Sequence, residues 1–173
     1  FKDFWEYDPE ADTWTQKATY NGTGKSQNTN ALGMREMQAR VYEKRASQYL
    51  LVKAPPASGK SRALMFVALD KLTNQGVKKA IIAVPERSIG KSFQTTELAK
   101  FGFFSDWVIN PKNNLTDRGT SESKVSQFIN FIRSTHPDDN IMICTHATLR
   151  FAFEKLNDSD FDKILLAIDE FHH

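Results

Sequence analysis

Eight residues, Ala54-Pro55-Pro56-Ala57-Ser58-Gly59-Lys60-Ser61, lie between an apolar, strand-like run at residues 49–53 and an apolar, helix-like run at residues 63–69. That order constrains the fold more than any other feature of the chain. A strand that passes through a short Gly/Ser loop straight into a helix aims successive backbone N–H groups at one point, and the helix N-terminus adds its partial positive charge there. The residue types suit a phosphate. Lys60 brings a mobile cation to the outer phosphates, and Ser61 offers a hydroxyl to the octahedral shell of Mg²⁺, an ion that keeps several waters and takes few protein ligands. The first position of the strict pattern is Ala54 instead of glycine.

A second stretch, Gly22-Thr23-Gly24-Lys25-Ser26, has similar letters without the context. No buried strand precedes it and no apolar helix follows, so a phosphate there would meet a loop with no helix dipole behind it. We reject it. It falls in a polar Gly/Asn-rich segment, residues 21–31, with the composition of a linker. Ahead of that segment, residues 1–20 are aromatic, with a turn-like Asp8-Pro9-Glu10-Ala11-Asp12 between two strand-like pieces, and predict a hairpin. The Tyr7-Asp8-Pro9 to Trp14 portion resembles one kelch repeat, but a single copy cannot build a propeller. The expected organisation is a hairpin and linker over residues 1–31 and one globular domain over residues 32–173.

From residue 32 onward helical segments alternate with short apolar runs, the pattern of a mostly parallel sheet with helices on both faces. The runs at residues 49–53, 80–84, 107–109, 141–145 and 164–168 are nearly continuous in apolar character and predict strands buried on both sides. Val125, Phe128, Ile129 and Ile132 recur at helical spacing and predict one apolar stripe. Arg35, Arg40, Lys44 and Arg45 read as the solvated face of a helix.

Composition adds exclusions. The formal charge of +2 is too small to announce a nucleic-acid binder by itself. The one cysteine, Cys144, sits in an apolar run, which leaves no disulfide framework or zinc cluster and predicts an inert thiol. No stretch approaches the roughly 18 apolar residues of a membrane span, and the start has no signal-peptide layout, so a cytoplasmic setting without membrane contact is expected. The chain does not begin with methionine, which suggests a piece of a longer protein.

The run at residues 164–168 delivers Asp169-Glu170-Phe171-His172-His173 at its C-terminal end. Ligands in open α/β sheets bind at that edge, where the phosphate loop also lies. Two adjacent carboxylates there suit a division of labour, with Asp169 holding Mg²⁺ and Glu170 orienting and deprotonating an attacking water. Successive side chains of a strand point to opposite faces, so His172 and His173 do not form a shared metal site.

With the loop and the acidic end in view, the chain resembles superfamily-2 helicases of the DExH kind and the motor subunits of restriction enzymes. Their first, RecA-like P-loop NTPase domain carries Ala-Pro-Thr-Gly-Ser-Gly-Lys-Thr and later Asp-Glu-x-His. Ala54, Pro55, Ser58, Gly59 and Lys60 match, Ser61 is conservative, and Pro56 and Ala57 depart. Three further stretches are similar to family motifs. Arg35-Glu36-Met37-Gln38 resembles the adenine-reading segment, where a glutamine amide can both donate to and accept from the base. Pro85-Glu86-Arg87-Ser88 and Thr145-His146-Ala147-Thr148-Leu149, each after an apolar run, resemble the motifs that touch a nucleic-acid backbone.

The resemblance implies ATP and Mg²⁺ as cofactors. Ala57, Ser58, Gly59, Lys60, Ser61, Arg35 and Gln38 would contact the nucleotide. Lys60 and Glu170 would do the chemistry, with Ser61 and Asp169 on the metal. Pro85, Arg87, Ser88, Thr145 and His146 would contact DNA or RNA phosphates, and His172 would couple the site to a second RecA-like domain. The coupling segment and the second domain are absent from residues 1–173. That domain would bring an arginine worth roughly 10³–10⁵ in rate, so these residues alone are expected to be nearly inert. The rival reading is another P-loop enzyme, a small-molecule kinase or signalling ATPase. A kinase would need a lid and an arginine-rich substrate-phosphate segment, and none is recognisable. Last comes a non-enzymatic interaction module, which would bind no ATP.

Overall fold

The computed structural model describes residues 3–8, 13–19, 28–117 and 123–170. They fall into two compact units, one drawn from Phe1–Lys71 with Glu97–Asp106 and the other from Leu72–Thr96 with Trp107–His173.

In the first unit, β1 (Asp3–Asp8) and β2 (Thr13–Thr19) pair antiparallel, as the aromatic segment predicts for a hairpin. The turn-like residues 9–12, which complete the kelch-like stretch, and the rejected loop at residues 22–26 lie outside the described residues. β3 (Leu50–Val52) departs from expectation. It pairs antiparallel with β1, Phe4 opposite Val52 and Glu6 opposite Leu50, in a sheet of order β2-β1-β3. Its residues are half-buried, not enclosed on both faces. An apolar run fixes that a strand needs cover, while its pairing partner depends on which edge is offered, and here the hairpin offers one.

Helix α1 (Glu36–Glu43) turns Met37, Gln38 and Val41 inward. Met37 and Val41 join Ala54, Ala63 and Val67 in a small core, with Leu50 and Val52 against it. Helix α2 (Lys60–Asn74) is buried nearly all round through Phe66–Asp70, as its unbroken apolar run requires. Phe103 caps this unit, meeting Phe66 edge-on at 4.8 Å and Tyr42 at 5.8 Å between ring centroids. Its approach depends on Gly102, where a Cβ would stand 2.0 Å from the Ala31 carbonyl oxygen. The basic cluster near α1 is laced into ion pairs: Arg40 with Glu36 at 3.1 Å, and Arg45 with the buried Asp70 at 3.4 Å.

In the second unit β4 (Lys79–Val84) lies between β5 (Ile141–Thr145) and β6 (Ile164–Ile168), all parallel, with Val84 in register with Thr145 and Ala83 with Ile168. β4 is buried along its whole length, and four of the five β5 residues are buried. β6 is only half-covered, so burial on both faces holds for two of the expected strands. Helices α3 (Lys124–Arg133) and α4 (His146–Phe153) pack over Ile81, Ala83, Met142 and Cys144. The buried face of α3 is Phe128, Phe131 and Ile132, with Phe131 in the place expected for Ile129. Burial pushes the Cys144 thiol up to about 12, which fits an inert packing role.

Residues 107–109 form no strand. Trp107 makes a single antiparallel bridge to Thr96, and its fully buried indole donates to the Phe93 carbonyl oxygen at 2.9 Å. The apolar run marks a tryptophan that anchors an irregular connection, because a buried indole N–H must find an acceptor.

Candidate functional site

The phosphate-type loop belongs to the first unit, and its conformation is unusual for its sequence. Ala57 and Gly59 both have left-handed backbones, φ 59° and φ 89°. Ala57 stands where the helicase pattern has glycine, and it takes the glycine-like conformation nonetheless, at a cost of about 1 kcal/mol. The loop closes by a bond from the Ser58 amide to the Pro55 carbonyl at 3.3 Å, and the Gly59 carbonyl accepts the Ala63 amide at 3.0 Å to start α2. The other amides of the first turn have no intrahelical acceptor. No acidic residue occupies that turn, so nothing on the helix itself offsets the positive end of the dipole. Lys60 and Ser61 open the helix half-buried. The Ser58 Oγ is buried and has no hydrogen-bond partner.

Gln38 supports this loop from beneath. It is 2% exposed. Its Oε1 accepts the Arg35 backbone N–H at 2.8 Å, and its Nε2 donates to the Gly59 carbonyl oxygen at 3.1 Å. A Cβ on Gly59 would fall 2.5 Å from that Nε2 and 3.9 Å from the Arg35 guanidinium, so glycine is required by close approach as well as by φ. Arg35 itself is exposed. Three residues expected at the nucleotide, Arg35, Gln38 and Gly59, are thus assembled. The expected adenine reader has both ends of its amide engaged within the protein, a role that no feature of the sequence announces.

In the second unit Asp169 and Glu170 follow β6. The Asp169 amide continues the parallel ladder by donating to the Ala83 carbonyl oxygen at 2.8 Å. Glu170 is left-handed, φ 51°, an uncommon state for a residue with a Cβ and one found disproportionately at functional sites. His146, the first residue of α4, sits across from this turn, its Nε2 2.8 Å from the Asp169 carbonyl oxygen. Thr145 caps α4 by accepting the Thr148 amide at 3.3 Å. Pro85 is half-buried after β4 and is followed by a 3₁₀ turn, Arg87–Phe93. The side chains of Arg87 and Ser88, and all of His172, lie outside the described residues. The loop and the acidic turn belong to different units.

Comparison with known proteins gives the family. The chain matches the family model for the DEAD/DEAH box helicase over residues 35–173 and belongs to that family. It is 66% identical over 154 residues to a protein named putative ATP-dependent helicase YeeB in Bacillus subtilis (strain 168), a match covering 89% of this chain and 25% of that protein. The chain therefore spans about a quarter of the length of the curated relative it matches. No solved structure matches it. The resemblance to superfamily-2 helicases is upheld, and the kinase and signalling readings are not favoured. Among the described residues no helix is long and apolar enough to cross a membrane.

Proposed function

We propose that residues 32–173 are the ATP-binding, ATP-hydrolysing first motor domain of a cytoplasmic helicase or translocase that works on DNA or RNA with a second RecA-like domain of the same protein. The observation that carries this is the loop at residues 57–59: two left-handed residues, a helix start without an acidic side chain, and a buried serine hydroxyl without a partner. An unsatisfied buried hydroxyl costs about 1–3 kcal/mol, and a phosphate oxygen is an acceptor that would remove that cost. The residues fit a Mg²⁺-triphosphate. Ala57 and Gly59 would offer it backbone amides and Ser58 its hydroxyl, Lys60 would meet the outer phosphates, and Ser61 and Asp169 would hold the ion. Bound Mg²⁺ would neutralise charge on the phosphates.

Glu170 is assigned as the base that orients and deprotonates water, and His172 as the link to the second domain. Arg35 and Gln38 border the nucleotide. Pro85, Arg87, Ser88, Thr145 and His146 would meet nucleic-acid phosphates, which position a strand without reading its sequence. The family, and the name of a relative of which the match covers only 25%, support the nucleic-acid partner and the larger protein. The test is Glu170→Gln in the full-length protein. It keeps shape and hydrogen-bonding reach while removing the base, so ATP affinity should stay near that of the wild type while turnover is lost. Retained turnover would remove Glu170 from the chemistry.

A further inference from the structure

Asp169 is tethered from two sides within the second unit. Its N–H is held by β4, through the Ala83 carbonyl, and its C=O is held by α4, through His146 Nε2, both at 2.8 Å. A carbonyl oxygen only accepts, so Nε2 carries the hydrogen. The peptide that this carbonyl belongs to leads directly into Glu170, whose φ of 51° is left-handed. Rotation of that one peptide plane would let Glu170 return to negative φ. The penalty for a left-handed residue and the gain from one hydrogen bond are of the same order. On these two contributions alone, loss of the imidazole bond would bring the two orientations of this peptide close in energy.

We propose that His146 is a positioning residue: by holding the Asp169 carbonyl it fixes the Asp169–Glu170 peptide, and so sets where the Glu170 carboxylate stands according to what occupies the loop at residues 145–148. His146 opens α4 directly after Thr145, at the end of β5, in the segment assigned to nucleic-acid phosphates. A phosphate drawn to that turn acts on the same short segment that holds the carbonyl. The link is thus a local one, a single imidazole between a strand-contacting turn and the water-orienting glutamate. It is a two-state element that both sites can bias, which is what physical coupling between sites requires. The inference rests on the reading of Glu170 as the base.

The test uses the full-length protein with His146→Ala, His146→Phe and His146→Gln. Steady-state ATPase is measured at saturating nucleic acid, alongside the nucleic-acid Kd and the Glu170 φ in a crystal structure of each variant. Loss of the donor in the alanine and phenylalanine variants should lower kcat by about tenfold or more, the scale of effect of a misplaced group. The KM for ATP should be unchanged, and Glu170 should leave the left-handed region. Glutamine carries an N–H donor at similar reach and should restore most of kcat along with the left-handed φ. Wild-type kcat in His146→Ala would overturn the proposal. So would a glutamine variant that restores the left-handed φ yet stays as slow as alanine, since the loss of kcat would then not come from the position of the Asp169–Glu170 peptide. The φ readout does not need turnover. If the wild type hydrolyses no ATP yet Glu170 relaxes in the alanine variant, the role of Glu170 fails and the peptide clamp stands. If Glu170 stays left-handed without His146, the clamp fails.

Discussion

Gln38 reaches across 21 residues of sequence to donate from Nε2 to the carbonyl oxygen of Gly59 at 3.1 Å, and so joins the start of α1 to the phosphate-type loop. The same amide accepts the Arg35 N–H through Oε1. Removing it leaves the Arg35 N–H without this acceptor, at about 1–3 kcal/mol for an unsatisfied group, and leaves the Gly59 carbonyl held by the Ala63 amide alone. Gln38→Ala is therefore expected to lower the urea unfolding midpoint and to weaken ATP binding. Gln38→Glu should keep the bond from Arg35 and lose only the one to Gly59. Equal unfolding midpoints for wild type and Gln38→Ala would show the bridge to be idle.

Ala57 and Gly59 share a left-handed backbone but differ in what surrounds them, and opposite responses are expected. Ala57→Gly removes about 1 kcal/mol of left-handed penalty while adding a comparable entropy loss on folding. Stability should change little, and ATP affinity should hold. Gly59→Ala puts a Cβ on a residue at φ 89° and 2.5 Å from Gln38 Nε2, so the loop or the Gln38 amide must shift and ATP binding should fall. Parallel thermal melts and ATP titrations of the two variants separate these cases.

Much of this was legible in the sequence. β4 and β5 are buried on both faces, and a strand of that kind writes itself as an unbroken apolar run. The Gly59-Lys60-Ser61 helix start is equally plain. Three things were not. The partner of β3 is decided by which edge the hairpin offers, and no periodicity records that. Trp107 imitates a strand because a buried indole is as apolar as valine, while its hydrogen bond to Phe93 is invisible in a letter string. The positive φ of Ala57 and Glu170 belongs to residue types that ordinarily avoid it. The structure imposes it, and sequence carries no mark of it.

Asp139 anchors a buried polar cluster away from the site residues. Ser134 Oγ and Asn113 Nδ2 donate to it, the latter at 2.9 Å, and Lys112 Nζ lies 3.0 Å away. Burial by itself would raise its pKa, but the hydrogen bonds from Ser134, Asn113 and Lys112, with the Lys112 charge, hold it well below the usual carboxylate range. A depressed folded pKa contributes stability that is present above the unfolded value of about 4 and lost as pH falls toward the folded one. Asp139→Asn should thus be less stable than wild type at neutral pH by about 1–3 kcal/mol. The gap should narrow in unfolding curves taken below about pH 4. A gap independent of pH would contradict a charged Asp139.

Arg87 follows Pro85 at the end of β4, in the segment assigned to a phosphate backbone. In the full-length protein Arg87→Ala should weaken binding to all DNA or RNA sequences alike. Loss of one phosphate contact reduces the slope of log K against log salt by about 1. Nucleic-acid stimulation of ATPase should fall with it, while basal ATP binding stays. An ATPase indifferent to nucleic acid, with Arg87→Ala silent, would count against the nucleic-acid motor and favour the rival small-molecule enzyme.

The most direct measurement is an equilibrium titration with Mg²⁺ and a fluorescent ATP analogue, comparing wild type with Lys60→Ala and Lys25→Ala. Lys60 follows Gly59 at the start of α2, with left-handed loop residues before it and no acidic side chain in its turn. Lys25 sits in the look-alike segment, whose sequence has no apolar strand-like run before it and no apolar helix-like run after it. Lys60→Ala should lose triphosphate binding, and Lys25→Ala should bind as the wild type does. If the two substitutions act alike, the nucleotide does not sit where the fold aims its amides, and the assignment of this chain as an ATP-driven motor domain is contradicted.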